Sequence, residues 1–258
     1  MHLDYGDRTR KQPRHPVSEG DMKRLWLPVI LSIAVSACSA TNTYIAGVGA
    51  GVTQVAAEHS LGVSDIQGTK ALRFEVRPGD RWNDGFKDSS RSEISFNRMP
   101  DIDGVEYKYR FDVLIPSEVD GNPNGVKGQV IIAQWHQGKG GDSKYTLGWP
   151  TAALYFSEGK LWVSVILVEK DAGMPKQVAL GHVADFQFGK WNSFEFTTVW
   201  GQTQNGSVKA RLNGKTFLDY SGPNGYPGTE NWFKFGIYRI NDVYAPTTVA
   251  FFKDLHRD

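Results

Sequence analysis

YKYRFDVLI, residues 107–115, sets Tyr107, Tyr109, Phe111, Val113 and Ile115 at alternate positions, with Lys108, Arg110 and Asp112 among the residues between them. Successive side chains of an extended strand point to opposite faces, so this spacing reads as a strand with one apolar and one charged side. Pro116 closes the run, because it has no N–H for a sheet ladder. The pattern recurs along the chain. ALYFSEGKLWVSVILV, residues 153–168, reads as two strands around a turn at Ser157–Gly159. SFEFTTVW and SVKARLNG flank Gln202–Gly206, and the second runs into Asn213-Gly214, a strong hairpin signal. TTVAFFKDL, residues 247–255, reads as a final strand, and no stretch carries a three-turn amphipathic helix. Short strands separated by turn residues imply an all-β fold, an antiparallel β-sandwich or jelly roll.

The chain has 258 residues, 40% apolar and 22% charged, which suits one large globular domain. Its formal charge is +1. With no basic excess or stripe, a nucleic-acid partner is not expected. Cys38 is the single cysteine, which excludes an internal disulfide. It ends MKRLWLPVILSIAVSAC, residues 22–38, in which Lys23 and Arg24 precede an apolar run and small residues. That is the layout of a secretory signal and is short for a membrane span. Val35-Ser36-Ala37-Cys38 resembles the lipobox of bacterial lipoproteins. The resemblance implies cleavage before Cys38, a lipid on its thiol and a place in the bacterial cell envelope. Residues 1–37 are then an upstream segment and signal, with Met22 a natural start, residues 38–50 a tether and 51–258 the domain. Residues 1–37 hold six Lys/Arg and four Asp/Glu, so the remainder is left at a formal charge of −1.

Three strands carry a polar side. In IIAQWHQ, residues 131–137, alternation places Val130, Ile132, Gln134 and His136 on one face and Ile131, Ala133 and Trp135 on the core face. In RSEISFN, residues 91–97, Arg91, Glu93, Ser95 and Asn97 form an unbroken polar row. In WFKFGIYR, residues 232–239, Phe233, Phe235 and Ile237 face the core and Trp232, Lys234, Gly236 and Tyr238 the other side. Gly236, inside a strand, reads as room for a ligand. Placed in one curved sheet, these sides line a groove on its concave face. The set suits a substrate carrying a carboxylate and an acidic carbon-bound proton. Arg91, Gln134 and Lys234 can neutralise the carboxylate, which stabilises a developing enolate. His136 can act as a neutral base near neutral pH, and Tyr238 can exchange a proton. Glu93 can pair with Arg91 and orient it. The corresponding reaction is β-elimination across a uronic acid linkage, giving 4,5-unsaturated products.

Arg91-Ser92-Glu93, Gln134-Trp135-His136 and Trp232-Phe233-Lys234-Phe235-Gly236-Ile237-Tyr238 resemble three signature segments of the jelly-roll polysaccharide lyases. The alginate lyases in that group read roughly Arg-Thr/Ser-Glu, Gln-Ile/Val-His and Tyr-Phe-Lys-Ala-Gly-x-Tyr. Trp135, the last segment and KALRFEVRPGD, residues 70–80, are closer to the heparin-lyase-I-like and glucuronan-lyase-like group. The resemblance spans most of residues 60–258. It implies a concanavalin-like jelly roll acting on an anionic polysaccharide without a cofactor, with His136 and Tyr238 as base and acid in a split left open. It implies that Gln134 and Arg91 neutralise the uronate, supported by Lys234 and Glu93. Trp135, Trp232 and Phe235 depart from the alginate pattern and put alginate in doubt as the substrate.

Other readings are weaker. A glycoside hydrolase needs two carboxylates across the scissile bond, and Glu118-Val119-Asp120 begins such a motif without completing it. A non-catalytic carbohydrate-binding lipoprotein would not need His136 together with Tyr238. Among the tryptophans Trp82, Trp149 and Trp200, only Trp149, in LGWP, reads as a loop platform for sugars. His182 reads as a loop residue, and His59 and His256 lack companions in sequence. Asp101-Ile102-Asp103-Gly104 is too short for a calcium loop and reads as a tight turn, and no metal site is expected.

Overall fold

The structure, a computed structural model, describes residues 41–82, 89–117, 123, 126–138, 149–167, 176–201, 205–226, 229–241 and 243–258. Cys38, the signal before it and Glu118-Val119-Asp120 lie outside the described residues.

Among the described residues, fifteen strands pair antiparallel in two sheets. The first sheet runs β1 (Asn42–Ile45), β2 (Gly49–Val55), β5 (Ser90–Ser95), β14 (Asn231–Arg239), β7 (Val130–Gln137), β8 (Ala152–Ser157), β9 (Lys160–Leu167) and β10 (Lys176–His182). The second runs β13 (Lys215–Ser221), β12 (Ser207–Leu212), β11 (Asn192–Val199), β6 (Glu106–Leu114), β15 (Thr248–Arg257), β4 (Thr69–Val76) and β3 (Leu61–Ile66). This is the expected antiparallel β-sandwich. The sequence signals act locally as read. Glu158-Gly159 and Asn213-Gly214 all have positive φ, the geometry that closes two-residue hairpins between β8 and β9 and between β12 and β13. The tether expected up to residue 50 is in fact strand from Asn42 onward. Gly47 turns the chain so that β1 pairs with β2, and the Thr41 and Thr53 hydroxyls meet at 2.6 Å.

The core lies between the sheets. Tyr109, Phe111 and Val113 of β6, the alternation that opens the reading, are buried there with Phe194, Phe196, Phe233, Phe235 and Phe252. Trp135 is fully buried, with ring centroids 5.0 Å from Phe196, 5.3 Å from Phe233 and 5.9 Å from Trp200. Trp200 is therefore core and not a sugar platform.

A bulge corrects the reading of β7. The register shifts between Ile131 and Ala133, so Val130 and Ile132 join Trp135 in the core, whereas Ile131 packs with Tyr155 and Tyr238 in a separate cluster. Gln134 and His136 keep the outward side expected of them. A second shift lies between Phe235 and Tyr238 on β14.

Candidate active site

The topology brings the three polar strands together as neighbours, in the order β5, β14, β7. Lys234 is opposite Ser95 on one side and Gln134 on the other, Tyr238 is opposite Arg91, and Trp232 is opposite His136. Arg91, Glu93, Gln134 and Lys234 are all buried, and they meet at one carboxylate. Glu93 Oε2 lies 2.9 Å from Lys234 Nζ and 3.1 Å from Arg91 Nε, and Glu93 Oε1 accepts from Gln134 Nε2. Arg91 also donates to Gln54 Oε1 at 3.2 Å. Burial alone would raise the Glu93 carboxyl, but the charges of Lys234 and Arg91 and hydrogen bonds from Lys234 and Gln134 hold it below the usual carboxylate range. Glu93 offsets one of the two cations. This one carboxylate holds both cations within the buried patch. The pairing of Glu93 with Arg91 read from sequence extends to Lys234 and Gln134.

His136 borders this cluster. Its Nδ1 lies 2.9 Å from the backbone oxygen of Gln137, an acceptor only, so the neutral ring carries its proton on Nδ1 and its lone pair on Nε2. The imidazole stacks on the Trp232 indole, with centroids 5.6 Å apart and planes 24° apart. Desolvation and the Lys234 charge push its pKa down to about 4, with a smaller contribution from Arg91. His136 is thus a neutral acceptor through the physiological range.

Tyr238 stands at the other end. Arg91 lies over the Tyr238 ring at 4.2 Å, and the Tyr238 hydroxyl donates to Ser89 Oγ at 3.4 Å. Along β7 it is in register with Ile131, five positions from His136. The structure therefore brings Arg91, Glu93, Gln134, Lys234 and His136 together and puts Tyr238 against Arg91 and Ser89. The position across from His136, where the alginate pattern has tyrosine, holds an indole.

Gly236 does not open a ligand space. Its φ is +131°, and a Cβ built on it would lie 2.3 Å from the Ser92 backbone oxygen and 2.9 Å from the Phe74 ring. Close approach to β5 and the core explains the glycine. His182 ends strand β10 rather than lying in a loop, and it meets Trp162 edge-on at 5.7 Å. Trp149 is 40% exposed. His59, passed over in sequence, has its Nε2 2.8 Å from Asp80 Oδ2; a separation of 21 residues hides that pairing. Asp101 is a buried tie rather than a metal ligand, accepting from Tyr109, Trp200 and Arg257. Among the described residues no group of three His, Cys, Asp or Glu side chains is placed to hold a metal ion.

No curated protein sequence matches the chain significantly. Solved structures share its fold. An endo-β-1,4-glucuronan lyase from the fungus Trichoderma reesei aligns at TM-score 0.59 and 15% identity, covering 86% of this chain and 95% of its own. An exolytic alginate lyase from Zobellia galactanivorans aligns at TM-score 0.55 and 12% identity, covering 78% and 88%. A Chlorella virus alginate lyase aligns at TM-score 0.52 and 14% identity, covering 77% and 88%. At these identities the likeness establishes the jelly-roll fold alone. A family model described as polysaccharide lyase matches residues 59–255, a span that contains the Glu93-centred cluster and His136, and the chain belongs to that polysaccharide lyase family.

Proposed function

We propose that this lyase cleaves a uronic-acid-containing polysaccharide by β-elimination over the Glu93-centred cluster. The observation that carries the proposal is a neutral imidazole, with its proton fixed on Nδ1, beside the buried Arg91 and Lys234 that flank Glu93. A proton alpha to a carboxylate becomes removable when the developing charge is stabilised in place. Arg91 and Lys234 supply that stabilisation, and Gln134 holds Glu93 so that both cations stay fixed. His136 Nε2 takes the C5 proton, the C4–O4 bond breaks, and O4 leaves with a proton. The product carries a 4,5 double bond.

The geometry favours His136 for proton abstraction and also for return of the proton to O4, since the Tyr238 hydroxyl turns toward Ser89. The resemblance to the lyase motifs supports the other assignment, with Tyr238 as acid. Ultraviolet absorbance of the 4,5-unsaturated product, followed on a panel of glucuronan, alginate and heparin-like polymers, tests the reaction. His136→Ala abolishes turnover with the fold intact. If His136 carries the proton both ways, Tyr238→Phe keeps turnover within about tenfold, about 1.4 kcal/mol of barrier. Loss equal to that of His136→Ala would reassign the acid to Tyr238. Reducing ends released without the absorbance would mean hydrolysis, and polymer retention without either would mean binding alone.

The Val35-Ser36-Ala37-Cys38 pattern supports a lipid anchor in the cell envelope. Incorporation of labelled palmitate that disappears in Cys38→Ser tests it.

A further inference from the structure

The ladder between β14 and β7 pairs Lys234 with Gln134 and, two positions along, Trp232 with His136. Residues two apart on a strand share a face, so the indole and the imidazole stand on the same side as the Lys234–Gln134 pair, ~7 Å further along. The two rings stack, with centroids 5.6 Å and planes 24° apart. The His136 hydrogen bond, 2.9 Å from Nδ1 to the Gln137 oxygen, reaches only the next residue and by itself leaves the ring plane loosely defined. A flat neighbour removes that freedom. It fixes the plane of the imidazole, and with Nδ1 tied to the backbone the ring presents Nε2.

Trp232 is itself held by shape. Its Nε1 is buried without a hydrogen-bond partner among the described residues, in contrast to Trp200, whose Nε1 donates to Asp101 at 2.7 Å. The edge of its six-membered ring lies against Gly138, where an added Cβ would be 2.9 Å from Cζ3 and 3.6 Å from Cη2. Gly138 does not have the positive φ that favours glycine, so the space taken by the indole accounts for the missing side chain. The Gly138 N–H donates to the Glu230 backbone oxygen at 2.7 Å, which fixes this stretch of backbone beside the start of β14.

We propose that Trp232 is a positioning residue for the base: wedged against Gly138, its indole holds the His136 imidazole in the orientation that presents Nε2 beside the Glu93-centred cluster. This rests on the lyase reading of His136. A base gains from such a hold because a small displacement of the reacting atoms costs a large factor in rate. The indole also keeps water from one face of the imidazole. An aromatic face attracts a cation and so favours the protonated ring, as do Glu93 and the Gln137 carbonyl. Loss of water outweighs these, and the charges of Lys234 and Arg91 act in the same direction, so the base stays neutral.

The test follows the His136 ring by NMR titration, and turnover by ultraviolet absorbance, in Trp232→Ala, Trp232→Phe and Gly138→Ala beside the unsubstituted protein. In Trp232→Ala, kcat falls about thirtyfold while KM stays within about twofold. Its imidazole titrates about one pH unit higher, and the acid limb of the rate profile moves with it. Trp232→Phe restores a flat face, so it recovers kcat to within about threefold and returns the titration toward its original position. Gly138→Ala keeps both rings but pushes the indole aside, which lowers kcat about tenfold with a smaller rise in the titration. That variant decides the matter if Trp232→Ala does not fold. An imidazole titration unchanged in the folded variants overturns the proposal, as does a Trp232→Phe protein no better than Trp232→Ala. A rise in KM at unchanged kcat also overturns it, since the indole would then be a binding surface. Failure of the lyase reading shows separately, as absence of the ultraviolet product from the unsubstituted protein, and the NMR titration does not depend on it.

Discussion

Glu93 accepts from Gln134 through one oxygen and faces both Lys234 and Arg91 through the other, all within a buried patch. Removing one member of such a network leaves a buried charge without compensation, a cost of ~3–5 kcal/mol. Lys234 also acts at a distance on His136, because its charge opposes protonation of the ring. A base works in its unprotonated form, so activity persists as pH falls until the ring protonates, near pH 4 and not at the ordinary ~6.5. The acid limb of kcat/KM therefore lies near pH 4, and Lys234→Met moves it up toward the ordinary histidine value while lowering the plateau. A limb that stays in place would show that desolvation alone sets the imidazole. At this scale the sequence was informative: every member of the cluster carries a side chain that alternation places on a polar face. Trp232 was legible as a departure from a motif, but its stacking on His136 depends on the pairing of two strands almost 100 residues apart in the chain.

The strands that carry the site are shaped by irregularities which alternation does not report. The bulge at Ile131/Ala133 inserts a residue, so Ile131 faces outward and Ile132 inward, the reverse of a strict period of two. On β14 the shift between Phe235 and Tyr238 contains Gly236, whose positive φ and contact with Ser92 exclude a side chain. Gly236→Ala is expected to destabilise the protein by at least ~2 kcal/mol through backbone strain. It also displaces β5 from β14, so turnover falls together with the urea midpoint. Full activity in a stably folded Gly236→Ala protein would show that the contact between these strands is not needed for the site. The bulges escape a sequence reading because they arise from register with neighbours, and a register is a property of two strands.

The sandwich as a whole is closed by contacts between distant segments. Asp101 accepts from Tyr109 on β6, from Trp200 and from Arg257 on β15, and its backbone N–H donates to Asn231 at the start of β14 at 2.6 Å. One carboxylate thus ties the second sheet to the strand that bears Lys234. Burial raises its pKa against the pull of Trp200, Tyr109 and Arg257, so the tie is held at some electrostatic cost. Asp101→Ala leaves the largely buried Arg257 without this partner and lowers global stability by ~3–5 kcal/mol. Tryptophan fluorescence and far-ultraviolet dichroism then report one shared, earlier transition; a local change without loss of global stability would refute the role. The sequence by itself determined the fold class, the hairpins and which residues could do chemistry, because alternation, turn residues and side-chain type are local properties. Only the tertiary structure decided that β5, β14 and β7 are neighbours, that Glu93 is their hub and that the Tyr238 hydroxyl meets Ser89. Those outcomes depend on which strands pair and in what register, and that is settled by the packing of two sheets around one core.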